Sequence, residues 1–155
     1  PAQPEGPRRE PDREEPAALP RGRNELILLV DDDDGIRNVN GKTLAQFGYR
    51  VLTAANGAEA VAFYAKHQQD IDAVLTDLAM PVMDGQSAIT ALRSMNPQLK
   101  IIASSGHLTD PSLLQTLEKQ SVRFIYKPYT ADVLLTALRQ LLDDAPRSPT
   151  PLPPS

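Results

Sequence analysis

A cluster of acidic residues in this 155-residue chain has the spacing of a divalent-cation site. Four consecutive aspartates, residues 31–34, follow the apolar run Leu26–Val30, and Asp77 follows another apolar run. If the two runs are neighbouring parallel strands, Asp31, Asp32 and Asp77 should converge at one edge of the sheet. Two such charges roughly 4 Å apart repel by roughly 4 kcal/mol at an effective dielectric constant near 20, which raises their pKa values unless a cation neutralises them. Oxygen ligands with room for water suit Mg²⁺, so the sequence predicts a Mg²⁺ site here.

The other two aspartates of the run, Asp33 and Asp34, are better explained as helix-capping residues. They precede a segment with helical periodicity, where a carboxylate accepts hydrogen bonds from free backbone amides and interacts favourably with the helix dipole. A calcium loop of the EF-hand type fails on register, because Gly35 as the turn glycine would make Val30 the first ligand. The predicted cation site therefore excludes Asp33 and Asp34.

The rest of the chain alternates between short apolar runs and segments of helical periodicity. The apolar runs predict strands at about residues 26–30, 49–54, 73–76, 101–104 and 123–126. The periodic segments predict helices at about residues 36–47, 57–66, 84–95, 111–119 and 130–142. Gly48 is placed to end the first helix and Asn56 to cap the second. Five strand–helix repeats predict a parallel sheet with helices on both faces, which binds its ligands at the carboxyl ends of the strands.

Prolines mark the limits of the folded domain. Of the 15 prolines, six lie in residues 1–23 and five lie in residues 145–155. The first segment mixes proline with balanced charge and cannot bury enough apolar surface to offset its ordering entropy. We expect residues 1–23 to be a flexible linker, residues 24–144 to be one folded domain and residues 145–155 to be a disordered, proline-rich tail.

Composition excludes several classes of function. The net charge of −4 gives no electrostatic reason to expect direct binding of nucleic acid. Cysteine is absent, which rules out disulfides and thiolate metal sites, and the two histidines, His67 and His107, lie far apart. No apolar run approaches the roughly 18 residues that span a bilayer, so we expect no membrane insertion by this segment. The first residue is not Met, which suggests a piece of a longer polypeptide.

Four sequence motifs resemble those of the receiver domain of bacterial response regulators. They are ILLVDDDD at residues 27–34, LTDLAMPVMDG at 75–85, IIASSGH at 101–107 and FIYKPYT at 124–130. Each motif alone is modest evidence, but four in this order at the ends of predicted strands are specific. The resemblance covers about residues 24–144. It implies a flavodoxin-like, doubly wound α/β fold with five parallel strands in the order 2-1-3-4-5.

The resemblance also implies roles for individual residues in phosphoryl chemistry. Asp77 resembles the phosphoacceptor, Asp32 the direct ligand of Mg²⁺, and Asp31 its partner, which acts partly through water. The backbone carbonyl of Ala79 would provide another metal ligand, and Lys127 would pair with the phosphoryl group. An aspartate oxygen is a competent phosphoryl acceptor, and a cation and a lysine would stabilise the charge of the transferring group.

Further residues correspond to the family's switch and tuning positions. Ser105 resembles the switch hydroxyl and Phe124 the switch aromatic residue, which is a tyrosine in many relatives. Ala79 and His107 occupy positions that tune dephosphorylation, and alanine cannot orient water for hydrolysis. The Lys127–Pro128 peptide bond is expected to be cis.

The function that this resemblance implies is that of a phosphoacceptor domain in a two-component phosphorelay. The phosphoryl donor would be a phosphohistidine on a histidine kinase or a histidine phosphotransfer domain. The resemblance implies no enzyme activity beyond slow autodephosphorylation. It also implies a monomer or weak dimer in the cytoplasm, either free or tethered to a membrane-bound sensor kinase. The preceding linker and the lack of a following output domain favour the C-terminal receiver of a hybrid sensor histidine kinase over a stand-alone receiver or a DNA-binding regulator.

Three other functions are less consistent with the sequence. A Mg²⁺-dependent phosphohydrolase of the haloacid dehalogenase type needs a second aspartate two residues after the nucleophile, where this chain has Ala79. A nucleotide-binding α/β domain would need a glycine-rich loop after the first strand. A docking module that is never phosphorylated would not need the complete set of acidic residues together with Ser105 and Lys127. The phosphohydrolase remains the main alternative.

Overall fold

The computed structural model describes residues 19–80, 83–106 and 110–144, in which five strands alternate with five helices. The strands are β1 (Leu26–Val30), β2 (Arg50–Ala54), β3 (Ile71–Asp77), β4 (Lys100–Ser105) and β5 (Arg123–Tyr126). The helices are α1 (Asp34–Gln46), α2 (Gly57–His67), α3 (Gly85–Met95), α4 (Pro111–Lys119) and α5 (Ala131–Asp143). The strands pair in parallel in the order β2-β1-β3-β4-β5. This order confirms the predicted fold class.

Local sequence signals account for most of the element boundaries. The Asp33 side chain accepts a hydrogen bond from the Ile36 amide at 3.0 Å and so caps α1, as predicted. Gly48, with a φ of 95°, follows the end of α1 in a conformation that favours glycine. The strand β3 is longer than predicted, because its first residue pairs with β1 and its last residue, Asp77, pairs with Ser104 of β4.

The two central strands, β1 and β3, are buried on both faces of the sheet. On one face, Leu28 and Val74 belong to a cluster that includes residues of α2, α3 and α4. On the other face, Ile27, Leu29 and Leu75 pack with residues of α1 and α5. Burial on both faces explains why these strands read as continuous apolar runs rather than alternating patterns. The charged residues at their carboxyl ends therefore follow strands that are buried on both faces.

Residues 19–23 lie against the domain, although the sequence places them in the linker. The Gly22 amide donates a hydrogen bond to the Phe47 carbonyl at 2.6 Å, and Leu19 packs against the core on the side of α1 and α5. A Cβ atom at Gly22 would lie 2.6 Å from the Tyr49 ring, so this close approach requires glycine. The folded unit thus includes these residues.

The remaining parts of the predicted linker and tail, residues 1–18 and 145–155, lie outside the described residues. Within the described ranges, no helix is both long and apolar enough to cross a membrane.

Substitution of Gly85, the first residue of α3, is expected to destabilise the fold strongly. An added Cβ atom would lie 2.7 Å from the Leu78 Cα atom and closer still to the Asp77 carbonyl oxygen, both of which are backbone. We expect Gly85→Ala to lower the free energy of unfolding by about 3 kcal/mol, because overpacking against backbone cannot be relieved by side-chain rotation. Urea denaturation measures this change.

Gly41→Ala in the interior of α1 is the matched control for the Gly85 substitution. Its added Cβ atom would meet its nearest neighbours, atoms of Leu29 and Val51, at 3.9 Å, which is an ordinary contact. This variant should gain about 0.5–1 kcal/mol, because alanine is the better helix former. Equal stabilities of the two variants would contradict the close approach of α3 to the end of β3.

Candidate functional site

The predicted acidic cluster forms at the carboxyl ends of β1 and β3. These strands are neighbours in register, with Val30 opposite Thr76, so the residues that follow them lie side by side. Asp31, Asp32 and Asp77 each offer a carboxylate oxygen within 4.8 Å of the others. Asp31 and Asp77 are only 3% and 6% exposed, whereas Asp32 faces solvent. The arrangement is a pocket with two buried carboxylates at its floor and a third at its rim.

A single lysine from the loop after β5 reaches both buried carboxylates. The Lys127 ammonium nitrogen lies 2.8 Å from Asp31 Oδ2 and 3.2 Å from Asp77 Oδ2. The Lys127 amide donates a hydrogen bond to the Ser105 carbonyl at 3.0 Å, which fixes the start of this loop against β4. The Lys127–Pro128 peptide bond is cis, as predicted. Lys127 is therefore placed to neutralise charge at Asp77.

The pocket shifts the pKa values of Asp77 and Lys127. Burial raises the pKa of Asp77 above its usual range and the charge of Asp31 adds to this, although Lys127 and the Ala79 amide oppose it. Burial lowers the pKa of Lys127, but its contacts with Asp31 and Asp77 outweigh burial and raise it overall. The lysine thus stays protonated, while the Asp77 carboxylate carries an electrostatic penalty in the absence of a divalent cation.

This penalty predicts how stability depends on pH in a cation-free buffer. Because the pKa of Asp77 is raised in the folded state, wild type should lose stability relative to Asp77→Asn as the pH rises from the unfolded-state pKa through the folded-state pKa. Above that window, including neutral pH, Asp77→Asn should be the more stable protein. Thermal unfolding of both proteins in EDTA across this pH range measures the difference. A stability difference between the two proteins that stays constant with pH would contradict the raised pKa of Asp77 in the folded state.

The predicted switch residues, Ser105 and Phe124, lie on adjacent strands beside the pocket. Ser105 ends β4, is 7% exposed and follows Ser104, the strand partner of Asp77. Phe124 lies on β5, packs partly buried against the core, and makes an edge-to-face contact with the Tyr126 ring at 4.7 Å between centroids. The two residues are therefore close to Asp77 in the topology, and the Phe124 ring lies between core and surface.

The structure describes one of the two predicted tuning residues, Ala79. The Ala79 amide donates a hydrogen bond to Asp77 Oδ1 at 3.2 Å, which orients the carboxylate, and the Ala79 side chain is exposed at the mouth of the pocket. The Ala79 carbonyl remains a predicted metal ligand. His107 lies outside the described residues.

A sequence profile of the response regulator receiver domain matches residues 27–139, which is most of the chain and includes the pocket. This chain belongs to the response regulator receiver family. The receiver domain resembles chemotaxis protein CheY of Bacillus subtilis, with 33% identity over 118 residues that cover 76% of this chain and 97% of CheY. It also resembles sensor kinase CckA of Brucella abortus, with 32% identity over 117 residues that cover 76% of this chain.

The receiver domain spans only 12% of the length of CckA, so its similarity is to one part of that kinase. Among solved structures, it resembles the CheX–CheY–BeF₃–Mg²⁺ complex of Borrelia burgdorferi. The TM-score is 0.73, the sequence identity is 26%, and the match covers 77% of this chain and 90% of that chain. Fold, function as a phosphoacceptor domain and family thus agree with the expectations from sequence.

The pocket of this receiver domain fits a Mg²⁺ ion by its donor set. All three candidate side chains are carboxylates, their oxygens lie close enough to share one ion, and exposure of Asp32 leaves room for water. Burial, with a smaller contribution from the charge of Asp31, raises the pKa of Asp77, and a bound cation would stabilise its charged form. Asp31, Asp32 and Asp77 could therefore hold the ion.

Mg²⁺ is expected to raise the melting temperature of the receiver domain. A ligand at 100 times its Kd stabilises the folded state by about 2.7 kcal/mol, a shift on the order of 10 °C for a domain of this size. Asp32→Ala should remove most of the shift, because it deletes a ligand at the rim without opening the core. Differential scanning calorimetry with and without Mg²⁺ measures the shift.

Asp34→Ala is the control for the Mg²⁺ shift. Asp34 belongs to the same acidic run, but its side chain is 82% exposed and pairs with Arg37 instead of facing the pocket. It should keep the wild-type shift. A full shift in Asp32→Ala would place the cation elsewhere.

Three residues near the pocket were not identified from the sequence. Arg37 donates a hydrogen bond from its guanidinium to the Asp31 carbonyl at 2.7 Å, and Asn40 donates one to the Tyr129 hydroxyl at 2.9 Å. Arg37 and Asn40 lie three residues apart on α1 and so share the face of the helix that meets the pocket. Their helical spacing from Asp33 is the one signal in the sequence that indicates their position on this face of α1.

Proposed function

We propose that this receiver domain accepts a phosphoryl group from phosphohistidine onto Asp77 and changes conformation as a result. The observation that carries this proposal is the placement of Asp77: a buried carboxylate at the floor of an acidic pocket, with the Lys127 ammonium at 3.2 Å. Two buried carboxylates side by side at a strand end raise each other's free energy when both are charged, which disfavours a purely structural role. A site that must gather a cation and a phosphoryl group does account for them.

In the proposed transfer, a carboxylate oxygen of Asp77 attacks the phosphorus atom of the phosphohistidine. The new O–P bond forms as the N–P bond breaks, and the electron pair of that bond returns to the imidazole nitrogen. Lys127 stabilises the negative charge on the phosphoryl oxygens, and the Ala79 amide holds the carboxylate in orientation. Bound Mg²⁺, held by Asp31, Asp32, Asp77 and the Ala79 carbonyl, would supply further neutralisation of that charge.

The proposed conformational change uses Ser105 and Phe124. A phosphoryl group on Asp77 presents new acceptor oxygens, and the Ser105 hydroxyl would move inward to donate a hydrogen bond to one of them. Phe124 would then turn toward the space that Ser105 leaves. Their positions on adjacent strands, Ser105 at the end of β4 and Phe124 opposite Ala103 within β5, support this order of events, and the phenylalanine ring carries no hydroxyl to bond outward after the turn. The result is a two-state element biased by a local charge.

The donor protein must approach Asp77 across the surface that borders Lys127. A groove of about 790 Å³ lies there, which we call the α1 groove, and its lining includes Ile36, Val39 and Asn40 of α1 and Pro128 and Tyr129 of the following loop. The Val39 side chain, which is 64% exposed, adds apolar surface to this groove that a partner could cover. We propose that a histidine kinase or a histidine phosphotransfer domain docks on the α1 groove.

We also propose a setting for the transfer. The similarity to sensor kinase CckA supports a receiver domain within a hybrid sensor histidine kinase. A phosphohistidine donor charged by ATP places the reaction in the cytoplasm, and the domain acts as a monomer or weak dimer without direct contact to nucleic acid. The net charge of −4 supports the last point.

The stoichiometry of phosphoryl uptake tests the proposed function against the phosphohydrolase alternative. The receiver domain with Mg²⁺ is incubated with a panel of phosphohistidine donors, and labelled protein and free phosphate are followed over time. A phosphoacceptor takes up at most one phosphoryl group per chain and releases phosphate slowly. Rapid multiple-turnover release of phosphate without labelled protein would favour the hydrolase and refute the proposal.

A further inference from the structure

The Tyr129 side chain connects the α1 groove to the phosphoacceptor pocket. Its hydroxyl accepts a hydrogen bond from the Asn40 side-chain amide at 2.9 Å. The Ser104 side chain is close enough to lower the pKa of the same hydroxyl. The Tyr129 ring packs partly buried against the core cluster formed with α1 and α5, so it has little freedom to move independently of its loop. One hydroxyl therefore links α1, the loop after β5 and the end of β4.

Each end of this connection has a defined place in the fold. Asn40 lines the α1 groove beside the exposed side chain of Val39. Ser104 is the strand partner of Asp77, and its carbonyl accepts a hydrogen bond from the Leu78 amide at 2.9 Å. The connection thus runs from the surface of α1 to β4, the strand beside the one that holds the phosphoacceptor.

The Tyr129 hydroxyl, in the middle of this connection, interacts electrostatically with charged residues of the pocket. Burial raises the pKa of the Tyr129 hydroxyl, Lys127 lowers it, and Asp31 raises it, with burial the largest of these effects. The hydroxyl therefore stays protonated at neutral pH and can both accept from Asn40 and donate to a second partner. Tyr129 lies two residues after Lys127, so both side chains project from the same short loop.

We propose that Tyr129 is a positioning residue that transmits the occupancy of Asp77 to the α1 groove; this inference rests on the proposed function of Asp77. A phosphoryl group on Asp77 adds negative charge beside the Lys127 ammonium and draws it away from Asp31. The loop after β5 follows, and the hydrogen bond from Asn40 to Tyr129 carries the displacement to α1. The surface that receives the donor then differs before and after transfer, which favours release of the spent donor.

Heteronuclear NMR of the full chain tests this inference, with the Asn40 side-chain amide as a direct reporter. Spectra are recorded with Mg²⁺, before and after addition of beryllofluoride, a phosphoryl mimic. In wild type, beryllofluoride should shift the Ala79 amide beside Asp77 and also the Asn40 side-chain and Val39 backbone amides. Tyr129→Phe, which removes only the hydroxyl, should keep the Ala79 shift and reduce the shifts in α1 by at least half.

A second tyrosine provides a matched control for this experiment. The Tyr64 hydroxyl accepts a hydrogen bond from the Asn96 side chain at 2.9 Å, the same bond at the same length, but it joins α2 to the end of α3. Tyr64→Phe should therefore lose equivalent bonding and keep the wild-type response in α1. Asn40→Ala removes the connection from its other side, and its Val39 amide should respond as weakly as in Tyr129→Phe.

The possible results separate the inference from the proposed function. Wild-type shifts in α1 for Tyr129→Phe would overturn the inference while Ala79 still reports a loaded Asp77. Equal losses in Tyr129→Phe and Tyr64→Phe would also overturn it, because the effect would then be a general loss of stability. No shift at Ala79 in wild type would overturn the proposed function, and the inference with it.

Discussion

Asp77→Asn is expected to abolish phosphoryl uptake by this receiver domain. Asparagine keeps the shape of the side chain and an oxygen that can accept the hydrogen bond from the Ala79 amide, but its neutral amide is not a nucleophile. Labelling from acetyl phosphate with Mg²⁺ should therefore fall to background while the fold is retained. Intact-mass spectrometry after incubation measures the labelled fraction.

Asp72→Asn is the matched control for this loss, because it makes the same chemical change on the same strand. Asp72 is exposed, and its carboxylate accepts a hydrogen bond from the Leu26 amide at 2.9 Å, which an asparagine oxygen can replace. It should label as wild type does. Equal labelling of wild type and Asp77→Asn would show that another group accepts the phosphoryl group.

Lys127→Met should slow phosphoryl uptake by about two to three orders of magnitude, the usual effect of removing one preorganised group that stabilises transition-state charge. Methionine keeps most of the length and apolar volume of the side chain but removes the ammonium that lies 3.2 Å from Asp77 Oδ2. The initial rate of labelling from acetyl phosphate at saturating Mg²⁺ measures the effect. Saturating Mg²⁺ also limits the repulsion between Asp31 and Asp77 that the substitution uncovers.

The control for this rate effect is Lys119→Met, which removes a charge from an exposed lysine in the last turn of α4. It should leave the rate at the wild-type value. A wild-type rate in Lys127→Met would mean that the lysine serves only to balance the buried carboxylates in the resting protein.

The sequence predicts much of this site because the chemistry lies directly at the ends of strands. In a doubly wound sheet, residues that follow buried strands lie at the carboxyl edge, so apolar patterning predicts that Asp31 and Asp77 lie at that edge. The strand order implied by the family resemblance then makes them neighbours. The role of Asp33 could be distinguished from the roles of Asp31 and Asp77 because an aspartate just before a helix acts locally as a cap. Lys127 was predicted only from the family resemblance, because it lies 96 residues after Asp31 and no local sequence pattern connects the two.

Contacts that depend on the packing of distant elements could not be predicted in this way. The hydrogen bond between Asn40 and Tyr129 joins residues 89 apart, and nothing in either local sequence specifies it. The same holds for Gly22, whose contact with the turn after α1 depends on how closely residues 19–23 approach the domain. Proline-rich composition predicts a linker over residues 1–23 but not the contact that Gly22 makes with the domain.

Identification of the residue that carries the phosphoryl group tests the proposed function of Asp77 most directly. After incubation with a phosphohistidine donor and Mg²⁺, the protein is reduced with borohydride, which converts a phosphorylated aspartate to homoserine, and its peptides are sequenced by mass spectrometry. We expect homoserine at position 77 and unmodified aspartate at positions 31 and 32. Homoserine at another position, with Asp77 unchanged in labelled protein, would contradict the proposed function.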